Sequence, residues 1–179
     1  DYLIDFVVAL SESFDIQPDG IQVSVVTFGN KGKVYFYLDE FSTKEDVVES
    51  IRALECKREN TNTTGGLWVT RNDVFGSAGN RDDSDDVIIM VTDGKPTRDE
   101  DMLDDEIDKL EDDDIKLIAI GVGKADEEFL QTLVDDSSDY FYLLDYPNLG
   151  DVTEAVSARA CGKEIEIETG EATEEPETE

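Results

Sequence analysis

Five consecutive apolar residues, Val87, Ile88, Ile89, Met90 and Val91, run without polar interruption into Thr92-Asp93-Gly94. A strand that lacks polar alternation has no face to show to water, so it must lie in a sheet covered on both sides. That demand restricts the chain to architectures in which helices pack above and below a sheet. The flanking sequence supplies them. Leu3, Val7, Leu10 and Phe14 recur at helical spacing, with Ile4 and Val8 widening the apolar face, which predicts a helix through Ser13. Pro18 and Asp19-Gly20 end it in a turn. A strand is expected over 21–28 and another over 33–38, and the short link Gly29-Asn30-Lys31-Gly32 makes the two an antiparallel hairpin. Ser42 and Thr43 ahead of Glu45 and Asp46 cap a helix that carries Val47, Val48, Ile51 and Leu54 and ends before Cys56. Beyond it the pattern alternates: helix 65–75, strand 87–91, helix 102–110, strand 116–120, helix 127–134, strand 140–144 and helix 149–160. The expected fold class is α/β, a doubly wound, mostly parallel sheet with helices on both faces and one antiparallel edge strand.

At 179 residues the chain holds one such domain and a short appendage. The domain is expected over 1–161. From 162 to 179 the sequence turns to glutamate, threonine, glycine and proline with little to bury, which reads as a disordered acidic linker or tail. Fifteen basic against 46 acidic side chains give a net charge of −31. Nucleic acid and anionic membrane surfaces are therefore repelled, whereas divalent cations and basic partners are attracted. No apolar run approaches the roughly 20 residues of a membrane-spanning helix, so no direct membrane insertion is expected. The chain has no histidine and two cysteines, Cys56 and Cys161, which removes zinc fingers, Ser-His-Asp triads and imidazole acid-base chemistry. No strand ends in a Gly-x-Gly-x-x-Gly turn, and Asp93-Gly94-Lys95-Pro96-Thr97 lacks the spacing of a phosphate-binding loop. The expectation is that the chain is not an enzyme.

In a doubly wound sheet, ligands sit beyond the carboxyl ends of the parallel strands. Asp93 occupies such an end and precedes Gly94, so its carboxylate either caps the following turn or ligates a hard cation. Thr61-Asn62-Thr63-Thr64-Gly65-Gly66 offers several hydroxyls on a loop before a helix. Hydroxyl and carboxylate oxygens together suit magnesium or manganese, and Thr63 or Thr64 can equally serve as an N-cap. Asn62-Thr63-Thr64 also matches the glycosylation sequon, and a glycan there would block the loop, so no modification is expected.

These segments resemble von Willebrand factor A domains. Phe14-Asp15-Ile16-Gln17-Pro18-Asp19 followed by residues 21–28 is similar to the passage from the family's first helix to its second strand. Thr61-Asn62-Thr63 looks like the family's threonine loop, Val91-Thr92-Asp93-Gly94-Lys95 like its aspartate strand, and Ile118-Ala119-Ile120-Gly121-Val122-Gly123 like its fifth strand. The resemblance spans about residues 1–161. It implies a metal-ion-dependent adhesion site with Thr61 and Asp93 as metal residues, and Asn62, Thr63, Thr64 and Gly94 as the ligand-binding rim. It implies a divalent cation as cofactor, Mg2+ or Mn2+, with Ca2+ the further candidate. The family's first, central strand and its Asp-x-Ser-x-Ser loop have no counterpart after Asp1, so this reading places them upstream. Taking 5–10 as that strand and Ser11 and Ser13 as its serines leaves seven residues before Ile21, too few for a crossover helix. By the same resemblance Cys161 pairs with a cysteine outside this chain.

The function implied is an extracellular adhesion module, secreted or in the ectodomain of a cell-surface protein. It would bind a protein ligand, collagen or another matrix protein, as part of a longer multidomain protein. The competing reading is an acidic matrix or mineral-associated protein that binds calcium diffusely and uses the fold as scaffold.

Overall fold

The computed structural model describes residues 2–55, 60–97 and 100–163. Cys56 and the acidic stretch after Lys163 lie outside them. The elements are α1 (Tyr2–Ser13), β1 (Val25–Phe28), β2 (Gly32–Phe36), α2 (Lys44–Arg52), α3 (Thr63–Val69), β3 (Val87–Thr92), α4 (Leu103–Asp112), β4 (Lys116–Val122), α5 (Glu127–Gln131), β5 (Tyr140–Leu143) and α6 (Thr153–Ala160). β3, β4 and β5 form a parallel sheet in that order, and β1 and β2 a separate antiparallel ladder. The doubly wound α/β class is as the alternation predicts.

The uninterrupted apolar strand is explained by its two faces. Val87, Ile89 and Val91 turn toward the core formed with α1, α2 and α6, where Phe6, Leu10, Val47, Ile51 and Val156 are buried. Ile88 and Met90 turn the other way, into a core with Leu67 of α3, Leu103 and Leu110 of α4 and Leu130 of α5. β4 divides in the same manner, Ile118, Ile120 and Val122 to the first core and Leu117 and Ala119 to the second. β4 is the innermost strand, and Ile118, Ala119, Ile120 and Val122 are wholly buried. The isoleucines and Val122 each contribute roughly 1.5–3 kcal/mol by leaving water.

Several boundaries differ from the sequence-based expectation. The strand expected over 21–28 is regular only from Val25, because the ladder to β2 shifts register between Val25 and Val26. Upstream of that shift Ser24 Oγ donates to Phe36 O at 2.7 Å in place of a backbone bond, and Ile21 makes only an isolated bridge to Ile16. The helix expected from Gly65 starts at Thr63, and its cap is neither Thr63 nor Thr64 but Asn62, whose side chain accepts from Gly65 N at 2.7 Å. It then widens into a π-helical turn over Thr70–Phe75. The last helix opens as a tight 3-10 stretch, Tyr146–Val152, with Pro147 in its first turn, before α6 proper.

No ladder joins β1 to β3 among the described residues. Between them runs a cleft of about 1640 Å³, roofed by Leu3, Val7 and Leu10 of α1, floored by Leu67 and Val74, and flanked by β1 and β3. The far end of the cleft is polar. There Arg81 Nη2 donates to Gly20 O at 2.7 Å, and Asn80 Nδ2 donates to Asp86 Oδ2 at 2.9 Å. Burial pushes the Asp86 carboxyl above the usual carboxylate range, against the opposing pull of Asn80.

Candidate metal site

Two loops meet at the other end of the cleft, beyond the carboxyl end of β3. The first runs into the start of α3. Its backbone is anchored where Asn62 N donates to Gly29 O at 3.0 Å, and the Asn62 carboxamide completes the helix cap. A cap of this kind stabilises a helix by about 1 kcal/mol. It also spends the Asn62 acceptor on α3. α3 sits close on the hairpin because Gly66 lacks a side chain: a Cβ there would lie 2.9 Å from Phe28 Cβ.

The second loop begins where β3 ends. Thr92 turns its hydroxyl into the loop and donates to Gly94 O at 2.9 Å, closing a tight turn that pushes Asp93 outward. Asp93 is exposed, and Tyr146 Oη donates to its Oδ2 at 3.0 Å. A Cβ at Gly94 would meet nothing within 4 Å, so the face beside Asp93 is open. Two residues farther along, Lys95 Nζ reaches Asp126 Oδ2 at 3.0 Å. The Phe129 amide, then Lys95, holds the Asp126 carboxyl below its usual range.

Thr97 fastens the two loops together. Its Oγ1 accepts from Thr61 N at 3.0 Å, and its own N donates to Thr61 O at 2.8 Å. Both backbone groups of Thr61 are thereby spent on the β3 loop, and Thr61 and Asp93 line the same end of the cleft. The strand end at Asp93, the hydroxyl-rich loop and the family resemblance brought Thr61 and Asp93 forward; nothing local pointed to Thr97 or Tyr146, which lie 36 and 53 residues from their partners.

The four residues read as a rim do not share one setting. Gly94 is half-buried beside the open face, whereas Asn62, Thr63 and Thr64 are buried, Thr63 to 1% exposure. The burial of Asn62 also disfavours a glycan at the sequon. Thr63 Oγ1 is a buried hydroxyl with no hydrogen-bond partner, an omission that costs roughly 1–3 kcal/mol unless another group reaches it. An orphaned hydroxyl beside Thr61 and Asp93, in a cleft lined by all three, fits a site that takes a further polar group. Hydroxyl and carboxylate oxygens are hard donors that suit a divalent cation of the magnesium, manganese or calcium kind. Among the described residues no three Asp, Glu or Cys side chains converge. Cys161 is exposed at the end of α6 and unpaired among the described residues.

Known proteins resemble the chain over most of its length. Residues 1–155 match the family model of the von Willebrand factor type A domain. The Homo sapiens collagen alpha-1(XX) chain is 32% identical over 164 residues, covering 88% of this chain and 12% of that protein. Bos taurus matrilin-1 is 28% identical over 162 residues, covering 89% of this chain and 29% of that protein. Among solved structures, proximal thread matrix protein 1 from the mussel byssus, with a zinc-occupied MIDAS motif, superposes with a TM-score of 0.81 at 25% identity. That match covers 89% of this chain and 40% of the other. The chain spans between 6% and 32% of the length of the curated relatives it matches. Its relatives are extracellular matrix proteins, and no described helix is long and apolar enough to cross a membrane.

Proposed function

The chain belongs to the von Willebrand factor type A domain family across residues 1–155, and from that premise we propose that it is a non-catalytic extracellular adhesion module. It binds a protein ligand, collagen or another matrix component, through a divalent cation held by Thr61 and Asp93. The observation that supports this most is the clasp at Thr97, which brings a hydroxyl and a carboxylate from separate loops to one cleft end. Mg2+ or Mn2+ is the favoured ion and Ca2+ the alternative. Zinc suits the site less, because the chain has no histidine for its usual nitrogen ligands. When bound, the cation supplies positive charge for an acidic side chain of the ligand, which completes the metal shell. Gly94 and the Thr63 hydroxyl border that position; Asn62 and Thr64 shape it through the helix start.

The rest of the shell is assigned to an Asp-x-Ser-x-Ser loop that follows a strand upstream of Asp1. The same strand fits the cleft between β1 and β3, whose roof and floor are both apolar as a fully buried strand requires. In this reading the domain covers 1–161 together with that upstream segment, and 162–179 is an acidic linker.

The test is calorimetric. In protein that carries the upstream segment, Mg2+ or Mn2+ should bind at one site. Asp93→Ala should abolish both that binding and adhesion to the protein ligand. Thr61→Ala should weaken the site less, because a neutral hydroxyl attracts a cation less than a carboxylate does. Unchanged cation affinity in Asp93→Ala would remove the assignment, and wholesale unfolding of Thr61→Ala would make Thr61 a structural residue instead.

A further inference from the structure

Tyr146 lies three residues beyond β5 and opens the 3-10 stretch that leads to α6. In the sheet, β5 is separated from β3 by β4, so a contact between Tyr146 and the tip of β3 has to pass over the end of β4. There the chain turns away at Gly123, whose φ of 66° a side chain would resist. The Tyr146 ring packs against the core shared by α1, β4 and α6, and its phenol emerges at the cleft end to donate to Asp93 Oδ2 at 3.0 Å. Asp93 is otherwise an exposed side chain at the tip of a strand, free to turn about two bonds.

We propose that Tyr146 is a positioning residue for Asp93. By holding one carboxylate oxygen, it leaves the other for a divalent cation and removes rotational freedom that binding would otherwise have to quench. This rests on the reading of Thr61 and Asp93 as cation ligands. The packed ring sets where the phenol sits, and the phenol sets the carboxylate, as outer-shell partners do at metal sites generally. The tyrosine touches neither the cation nor the protein ligand.

Tyr146→Phe keeps the packed ring and deletes only the hydroxyl. Two measurements on the intact protein separate positioning from a general structural role. Without metal, amide exchange at Gly94 and Lys95 should rise in Tyr146→Phe, while exchange in β4 stays as in the unaltered protein. With Mn2+ as the probe, calorimetry should show about tenfold weaker binding in Tyr146→Phe, the lower end of what outer-shell changes cost. Equal Mn2+ affinity in the two proteins, or tighter binding in the variant, overturns the proposal. So does unchanged exchange at Gly94 and Lys95. Should the unaltered protein bind no Mn2+ at Asp93, the cation reading falls and the proposed role toward a cation falls with it. The exchange data would then still report whether the phenol holds the β3 loop, so the two failures remain distinguishable.

Discussion

The two halves of this molecule are built to different standards. Around β4, which has a strand on either side, both faces of the sheet are covered, and side chains such as Ile118 and Ile120 are wholly buried. Even the charges are settled there. Arg159 joins α6 to the turn before β5 through Asp136 at 3.0 Å and Asp139 at 2.8 Å, and Lys116 adds a contact to Asp139 at 3.1 Å. Around β1, by contrast, a short irregular hairpin faces a cleft, and a buried hydroxyl at Thr63 goes unpaired. The candidate site lies where the halves meet. The closed half supplies Asp93 just beyond the end of β3, and the open half supplies Thr61 on a segment that hydrogen bonds to Thr97 hold in place.

The largest effect should come from closing the cleft. If the proposed upstream strand fills it, residues 1–179 alone leave strand edges unpaired in an apolar setting, at roughly 1–3 kcal/mol per group against a total stability of about 5–15 kcal/mol. Expressed by itself, the segment should aggregate or melt without cooperativity, and adding the upstream strand should restore a single sharp transition. A sharp two-state melt of the short form, with amides protected over 87–91, would place the strand elsewhere.

Next in size is a pair of truncations that weighs the halves against each other. Ile120→Ala, in the centre of the closed half, should cost about 2–5 kcal/mol in urea unfolding of the completed domain. Val91→Ala, at a side chain only partly buried, should cost measurably less in the same completed domain. Equal losses would mean that the β1 side of the completed domain packs as tightly as the surroundings of β4.

The smallest expected effect concerns pH. The Ser138 hydroxyl and amide, and then Arg159, lower the Asp136 carboxyl to about 2 from an ordinary 3.8. A depressed acid contributes its stability above its unfolded value, so this contribution is complete above about pH 3.8 and is lost as pH falls through about 2. Asp136→Asn should therefore flatten the decline of the urea midpoint between those limits. An unaltered slope would show that Asp136 does not hold α6 in solution.

Much of the closed half can be read from sequence because its signals are local. Unbroken apolar runs such as 87–91 require cover on both faces, and helices with apolar residues at periodic spacing provide it. The hairpin was legible in type but not in length, since the loss of regular pairing at Ile21–Ser24 depends on what stands beside it in space. The site divides the same way. Thr61 and Asp93 could be chosen by motif and residue chemistry, whereas the clasp from Thr97 and the phenol of Tyr146 arise only when distant segments meet. The cap illustrates a finer limit: Asn62, Thr63 and Thr64 are all plausible capping residues, and only the geometry of the incoming chain selects Asn62.

The central claim is a single cation at the junction of the halves, as opposed to diffuse attraction by a strongly acidic surface. Paramagnetic Mn2+, added in small increments while the amide resonances of the completed domain are followed, tests it most directly. Thr61, Asp93, Gly94 and Thr97 should broaden first and together, well before the acidic stretches at 82–86 and 111–114. Broadening that begins in those stretches, or that is unchanged by Asp93→Ala, would contradict it and favour the calcium-binding scaffold.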